Sequence, residues 1–119
     1  MKLLDSSVLV AFLNERDSLH EGALKLDLKD SVFNELVLAE VANVLQKRVK
    51  DKQKVKNSVT ELLQQTPVVL LSIDNLKQAM QLFFEYYPRI SFTDAALAAQ
   101  AKNLNAQVLT FDDNLSKII

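Results

Sequence analysis

The chain has 119 residues, of which 49% are apolar and 24% charged, and its formal net charge is −1. These values fit a single globular domain with its own hydrophobic core, and they exclude disordered and fibrous chains. The sequence has no cysteine and one histidine, which argues against disulfides, cysteine-based zinc sites and a Ser–His relay. We expect the histidine, His20, to be a surface or half-buried helix residue.

No apolar stretch reaches the roughly 20 residues that a membrane-spanning helix needs. Lys2 and the leucines after it resemble the start of a signal peptide, but Asp5 and Asn14 interrupt the apolar region and no small-residue cleavage site follows. The absence of cysteine is compatible with a reducing compartment. We therefore expect a cytoplasmic protein without a membrane segment.

The N-terminal half is predicted to begin with a short buried strand and to continue mainly as helices. The longest of these helices rests on Val37, Val41 and Leu45, which recur at four-residue steps. A second helix follows it to make an α-hairpin, which Pro67 stops. The predicted elements are strand 2–4, helix 7–14, helix 18–28, strand 31–33, helix 35–50 and helix 53–65.

The C-terminal half contains the two strongest strand signals. The run VVLLSI at 68–73 is continuous and apolar, as in a buried parallel strand, and QVLTF at 107–111 is the last strong strand. Between them, Asp74 is predicted to cap a helix over 75–87 that ends before Pro88. An alanine-rich helix then runs from Ser91 to Asn103.

Strands that alternate with helices predict an α/β domain with a parallel sheet covered on both faces. Binding sites in such sheets form at the carboxyl ends of the strands, near the point where the strand order reverses. Asp5 follows the first strand, and Asp112 and Asp113 follow the last strong one. This placement is the first indication that these acids are functional.

Four short stretches each carry one acid in an otherwise apolar setting. They are LLDSS with Asp5, LAEVANVL with Glu40, SFTDAALAAQAK with Asp94, and VLTFDDNL with Asp112. Glu40 is the least expected, because its helical turn is so apolar that the carboxylate should be at least partly buried. An unpaired buried charge costs several kcal/mol, so something must offset it.

Each acid also has a purely structural explanation. Asp5 could cap the following helix, and Asp94 lies three residues after Ser91, which is the spacing of a capping box. Asp112 and Asp113 could be turn residues. Glu40 could form an ion pair with the lysine seven residues further along its helix, Lys47.

The four acids together favour a metal site. Two carboxylates about 4 Å apart repel each other by about 4 kcal/mol at an effective dielectric constant of 20. A divalent cation relieves that repulsion, and carboxylate oxygens suit Mg²⁺ or Mn²⁺. Such ions can activate water and stabilise the leaving oxygen in phosphodiester hydrolysis.

The order and surroundings of these acids resemble the PIN-domain family of metal-dependent ribonucleases, especially the small VapC-type toxins, over the whole chain. The resemblance implies that Asp5, Glu40, Asp94 and Asp112 are the metal-binding and catalytic acids. It implies supporting hydroxyls at Ser6 and Thr110, and Asp113 could substitute for Asp112 because the fourth position is the least strict in the family.

The resemblance also implies a fold, a cofactor and partners. The fold is a three-layer PIN-like domain over 1–119, with a parallel sheet of four or five strands in the order 3-2-1-4-5 between helices. The cofactor is Mg²⁺ or Mn²⁺, and the partners are an RNA substrate, a small antitoxin protein and a second copy in a homodimer. Phe83 and Phe84 are candidates for the dimer surface, although core packing is the more common fate of such residues.

Basic residues are concentrated between positions 47 and 56, and few lie near the C-terminus. Such a cluster can bind phosphates, or it can be a solvated helix edge. RNA would bind mainly to this cluster, and Lys2 and Arg89 are further candidates for RNA contacts. The RNA-binding candidates in the cluster are Lys47, Arg48, Lys50 and Lys54.

The sequence therefore predicts a metal-dependent endoribonuclease, the toxin of a type II toxin–antitoxin pair. A non-toxin RNA-processing PIN nuclease and a non-catalytic PIN-like module that binds RNA or protein remain alternatives. A phosphoacceptor receiver domain does not fit, because it normally has a pair of acids after the first strand and a lysine after the last, whereas Asp5 stands alone and Phe111 follows Thr110.

Overall fold

The computed structural model describes residues 1–119 as three strands and seven helices. The strands are β1 (Lys2–Leu4), β2 (Ser31–Val32) and β3 (Gln107–Leu109). The helices are α1 (Ser6–Leu13), α2 (His20–Leu24), α3 (Glu35–Arg48), α4 (Lys52–Gln65), α5 (Ile73–Glu85), α6 (Phe92–Leu104) and α7 (Asp113–Ser116). Each helix is too short or too polar to cross a membrane.

The sheet is parallel and has the order β2-β1-β3, so β1 lies at its centre. Lys2 pairs with Ser31 on one side and with Gln107 on the other. The chain leaves β1 toward β2 and later returns to the opposite side of β1 as β3. The strand order therefore reverses between β1 and β3, which is the position where α/β sheets bind their ligands.

The prediction of four or five strands was too high, because residues 68–73 do not form a strand. They make one parallel bridge, between Phe33 and Val68, in the place where the predicted order puts the third strand. Side chains satisfy the backbone groups that follow. The Gln100 amide donates to the carbonyl oxygen of Val69 at 3.1 Å, and the Leu71 N–H donates to Glu35 Oε1 at 2.9 Å.

Three smaller predictions also need correction. Ser72, not Asp74, caps α5, and it does so through a reciprocal capping box with Asn75, while Asp74 lies in the first turn. The helix predicted over 18–28 is only the short α2. The chain ends in the short helix α7 rather than in a fifth strand.

The main hydrophobic core joins β1 to the helices that carry the acids. It includes Leu3, Leu4, Val37, Val41 and Leu97, all of which are fully buried. The helices α1 and α3 pack against each other, and α5 packs along α6 over a smaller cluster of buried alanines. His20 is half-buried as predicted, and its Nδ1 lies 2.7 Å from the carbonyl oxygen of Ala11.

The outer face of α5 is apolar and exposed. Ile73, Met80 and Phe84 are 69%, 55% and 65% accessible, whereas Phe83 is partly buried against the smaller core cluster. Phe83 packs edge-on against Phe84 and Phe92. Of the two candidates for the dimer surface, Phe84 is exposed and Phe83 packs against the core. The homodimer itself stays a prediction.

Candidate active site

Asp5 lies directly after the central strand and is 2% exposed. Its backbone N–H donates to the carbonyl oxygen of Leu109 at 3.0 Å, which extends the ladder with β3 by one bond. Asp5 also occupies the N-cap position of α1, but its side chain makes no capping hydrogen bond. The helix-cap explanation of Asp5 was therefore wrong, and its carboxylate is free for other contacts.

Two hydroxyls hold one oxygen of this carboxylate and leave the other bare. Ser7 Oγ and Thr110 Oγ1 each donate to Asp5 Oδ2 at 2.7 Å. Ser7 Oγ in turn accepts the backbone N–H of Phe111 at 3.0 Å, so it ties α1 to the segment after β3. Asp5 Oδ1 is buried and has no hydrogen-bond partner. A buried carboxylate oxygen without a donor is costly unless a cation satisfies it.

Glu40 reaches the same place from the middle of α3, where it is half-buried. Ser6 Oγ donates a hydrogen bond to Glu40 Oε1. The pairing of Glu40 with Lys47 is not observed, since the ion pairs of the structure involve other residues. Glu40 is thus a half-buried carboxylate that is hydrogen-bonded but not neutralised.

Asp94 lies in the first turn of α6 and is 8% exposed. Its backbone N–H donates to Ser91 Oγ at 3.1 Å, as the capping spacing predicted. Burial first, and then the negative charges of Asp5, Asp112 and Glu40, together raise the pKa of Asp94 to about 6. The other three acids are therefore close enough for their charges to act on Asp94.

Asp112 and Asp113 have different surroundings. Asp112 caps α7 by accepting the Leu115 N–H at 3.0 Å, so its turn role is real, yet it also lines the cleft that contains the other three acids. Asp113 is exposed in the first turn of α7 and does not line this cleft. Asp112 is thus the better candidate for the fourth acid.

Asp5, Glu40, Asp94 and Asp112 line one open cleft of about 750 Å³, which we call the acidic cleft. No Lys or Arg forms an ion pair with any of the four acids. Three of them, Asp5, Asp94 and Asp112, lie at helix N-termini, whose partial positive charge favours carboxylates. Two arginines also line the cleft: Arg48 pairs with Asp17, and Arg89 lies over the ring of Tyr86.

The donor set fits a divalent cation such as Mg²⁺. The bare oxygen of Asp5 and the uncompensated carboxylates around it are hard oxygen ligands. No three acids of the structure converge closely enough to share one ion as their side chains stand. Mg²⁺ does not require that, since it is commonly held by one or two carboxylates and keeps several waters.

Replacing Ser7 with Ala should weaken Mg²⁺ binding about tenfold, because groups that orient a ligand affect metal affinity to that degree. The change frees Asp5 Oδ2 from one of its two hydroxyl donors and leaves the Phe111 N–H without its acceptor. We therefore also expect the free energy of unfolding to fall by about 1–2 kcal/mol. Calorimetric Mg²⁺ titration and urea unfolding measure the two effects.

The control for this change is Ser18→Ala. Ser18 is an exposed serine that lines the same cleft without a side-chain hydrogen bond. Equal Mg²⁺ affinity in the Ser7 and Ser18 variants would mean that Ser7 does not orient a metal ligand.

Comparison with known proteins agrees with this geometry. The profile of the PIN domain family matches residues 2–119, nearly the whole chain. The chain belongs to the PIN domain family. This confirms the expected fold class, a parallel α/β sheet flanked by helices. No curated protein matches the chain at a significant level.

Among solved structures, this PIN domain is similar in fold to several bacterial proteins, which include a toxin and a toxin–antitoxin complex. Mycobacterium tuberculosis VapC20, described as a sarcin-ricin loop cleaving toxin, superposes with a TM-score of 0.86 at 23% identity, covering 98% of this chain and 94% of that one. VapBC2 from Rickettsia felis, bound to a DNA fragment from its promoter, gives 0.74 at 21% identity, with coverage of 99% and 92%. A toxin–antitoxin complex from Klebsiella pneumoniae gives 0.71 at 18% identity, with coverage of 94% and 87%.

Sequence reasoning missed two residues of this PIN domain's cleft. Ser7 was overlooked beside Ser6, although a hydroxyl two residues after a strand-end acid can turn back onto that acid. Asp17, which holds Arg48 at 3.3 Å, lies in a polar loop with no periodic signal, and its partner is 31 residues away. Contacts of that kind are visible only in the folded chain.

Proposed function

We propose that this PIN domain is a metal-dependent endoribonuclease that hydrolyses RNA phosphodiester bonds. The observation that carries the proposal is the bare, buried Oδ1 of Asp5 in a cleft lined by three further uncompensated acids. Such a cleft disfavours an RNA phosphate by itself and accepts one when a cation is present. The family membership supports the same chemistry.

In this proposal Asp5, Glu40, Asp94 and Asp112 would hold the ion, one or two of them directly and the others through its bound waters. Bound there, Mg²⁺ or Mn²⁺ would supply a Lewis acid that activates water and stabilises negative charge on the phosphate oxygens. Ser7 and Thr110 orient Asp5, and Ser6 orients Glu40. One of these carboxylates would take the proton that the attacking water loses.

We further propose that the protein is the toxin of a type II toxin–antitoxin pair and acts in the cytoplasm. Toxins and toxin–antitoxin complexes recur among the similar structures, each spanning nearly the whole chain. A small antitoxin would then cover the acidic cleft, which is open at the surface. A gene for a short DNA-binding protein beside this one would favour the toxin over an RNA-processing nuclease.

The test is cleavage of a mixed pool of structured RNA with Mg²⁺ or Mn²⁺ against EDTA. We expect wild type to cut the pool only with added metal. An Asp5→Asn variant, purified in parallel, should show no more cleavage than the EDTA sample, because it loses the bare carboxylate charge. The parallel purification controls for contaminating nucleases.

Two results would contradict the nuclease. Equal cleavage by wild type and Asp5→Asn would identify a contaminant, and no cleavage by either at millimolar metal would favour a non-catalytic RNA- or protein-binding module. In the second case, calorimetric titration with Mg²⁺ decides whether the cleft binds metal at all.

A further inference from the structure

We infer that single-stranded RNA runs from the acidic cleft into a neighbouring basic groove, where cationic side chains hold its phosphates on one side of the cut. This inference rests on the proposed nuclease function. The basic groove has a volume of about 630 Å³ and lies between the loop before α2, the end of α3 and the start of α4. Its cationic lining residues are Arg16, Arg48, Lys50 and Lys54.

The groove and the acidic cleft are joined along one face of α3. Glu40, Val44 and Arg48 line the acidic cleft at four-residue steps, which places them in one row of the helix. Arg48 stands about 12 Å along the helix axis from Glu40, at 1.5 Å per residue. Arg48 also lines the basic groove, so the two depressions share it as a common wall.

Arg48 is held in place by Asp17. Its Nη1 lies 3.3 Å from Asp17 Oδ2, and the Asp17 side chain is 11% exposed while the Arg48 side chain is 59% exposed. A guanidinium has five N–H donors in a fixed fork, so one contact to Asp17 leaves donors free for a phosphate. Arg48 is therefore a pre-oriented cation at the border between the acidic cleft and the basic groove.

The charges of the groove are suited to a polyanion. Its other three cations, Arg16, Lys50 and Lys54, form no ion pair in the structure. Of its two acids, Glu15 is exposed, and Asp51 is occupied in capping α4 through the N–H groups of Gln53 and Lys54. An acidic peptide could also use these cations, but continuity with the cleft favours the strand that is being cut.

The structure also divides the basic cluster that the sequence shows between 47 and 56. Lys50 and Lys54 line the basic groove, whereas Lys47, one residue before Arg48, lines neither the groove nor the acidic cleft. Lys47 is exposed and has no ion pair, like Lys54. Lys47→Gln is therefore a control for Lys54→Gln that removes the same charge from the same cluster.

The experiment is fluorescence anisotropy with a fluorescein-labelled, mixed-sequence single-stranded RNA over a series of NaCl concentrations. Ca²⁺ replaces Mg²⁺ so that the acidic cleft holds a cation, and a gel checks that the RNA stays intact. We expect Lys54→Gln and Arg16→Gln each to weaken binding about three- to fivefold, the upper range for one exposed ion pair. Each should also reduce the slope of log Kd against log salt by about 0.7, the loss of one phosphate contact. Lys47→Gln should keep both quantities at the wild-type values.

Three results would overturn the inference: no RNA binding by wild type at low salt, equal weakening by Lys47→Gln and Lys54→Gln, or displacement of the RNA by a polyglutamate peptide of equal charge. The last result would assign the groove to an acidic protein segment. Metal-dependent cleavage is measured on the same wild-type preparation. If wild type cleaves RNA but Lys54→Gln has no selective effect on binding, only the RNA path through the basic groove is refuted. If wild type does not cleave RNA, the nuclease function is refuted whatever the anisotropy shows.

Discussion

An Asp94→Asn variant is expected to be more stable than wild type at pH 7 and yet unable to cleave RNA. In wild type the folded protein ionises Asp94 in a buried position among three other acids, which raises its pKa from 3.8 to about 6. A shift of that size corresponds to about 3 kcal/mol of destabilisation at neutral pH. Asparagine has nearly the same shape and no charge, so it removes this cost.

The difference should depend on pH with a defined sign. Because the pKa of Asp94 is higher in the folded protein than in the unfolded chain, the folded protein binds more protons between about pH 4 and pH 6. The free energy of unfolding of wild type therefore falls as pH rises through that window and levels off above it. The variant lacks this fall, so the two curves should meet near pH 4 and differ by up to about 3 kcal/mol at pH 7.

Urea unfolding in EDTA at several pH values measures both curves. The control is Asp113→Asn, which removes the charge of an exposed acid close in sequence to Asp112 but outside the cleft. Its free energy of unfolding should stay within about 0.5 kcal/mol of wild type. Parallel curves for wild type and Asp94→Asn would show that Asp94 carries no such cost.

The Asp94→Asn variant should cleave RNA with added metal about a hundredfold more slowly than wild type, or slower still. Single groups that stabilise a transition state contribute on this scale. Gain of stability together with loss of activity identifies a residue retained for chemistry rather than for folding. A variant that was unstable and inactive would instead indicate a structural role for Asp94.

Added Mg²⁺ or Mn²⁺ should raise the stability of wild type, because the ion binds the folded protein and not the unfolded chain. At a metal concentration of one hundred times Kd the gain is about 2.7 kcal/mol. In a domain of this size about 1 kcal/mol shifts Tm by about 4 °C, so we expect a rise of about 10 °C at that saturation. Relief of repulsion among the four acids is the physical source of the gain.

Thermal unfolding followed by circular dichroism tests this expectation. KCl at matched ionic strength controls for general screening. Asp5→Asn should abolish most of the shift, because it removes the charge on the one buried carboxylate oxygen that lacks a donor. An unchanged Tm of wild type across millimolar Mg²⁺ and Mn²⁺ would argue against a preformed metal site.

Local sequence signals were sufficient for the elements that position the acids. The periodic apolar residues of α3 and the capping spacing of Ser91 and Asp94 are short-range features, and the structure reproduces both. The carboxyl ends of β1 and β3 were predictable because strands that alternate with helices must be parallel. The meeting of Asp5, Glu40, Asp94 and Asp112 in one cleft followed from that topology and from the family resemblance.

The predictions that were wrong concern sites where two structures or two contacts compete, and a single sequence does not show which one forms. Residues 68–73 have the composition of a buried strand, but periodicity cannot show whether a partner lies beside them, and Leu70 is 69% exposed. Ser72 and Asp74 are both good N-caps, and the reciprocal bond with Asn75 decides between them. The hold of Ser7 on Asp5 depends on Thr110 and Phe111, which are more than 100 residues away.

The contacts of Gln100 and Glu35 with the backbone of residues 68–73 affect the tendency of the protein to aggregate. This stretch has no charge and no proline, and four of its six residues are Val or Leu, which is the composition of segments that form amyloid-like cross-strand stacks. Folding leaves it at the open edge of the sheet, where Gln100 and Glu35 tether the backbone of Val69 and Leu71. Loss of these contacts would thus expose an aggregation-prone edge.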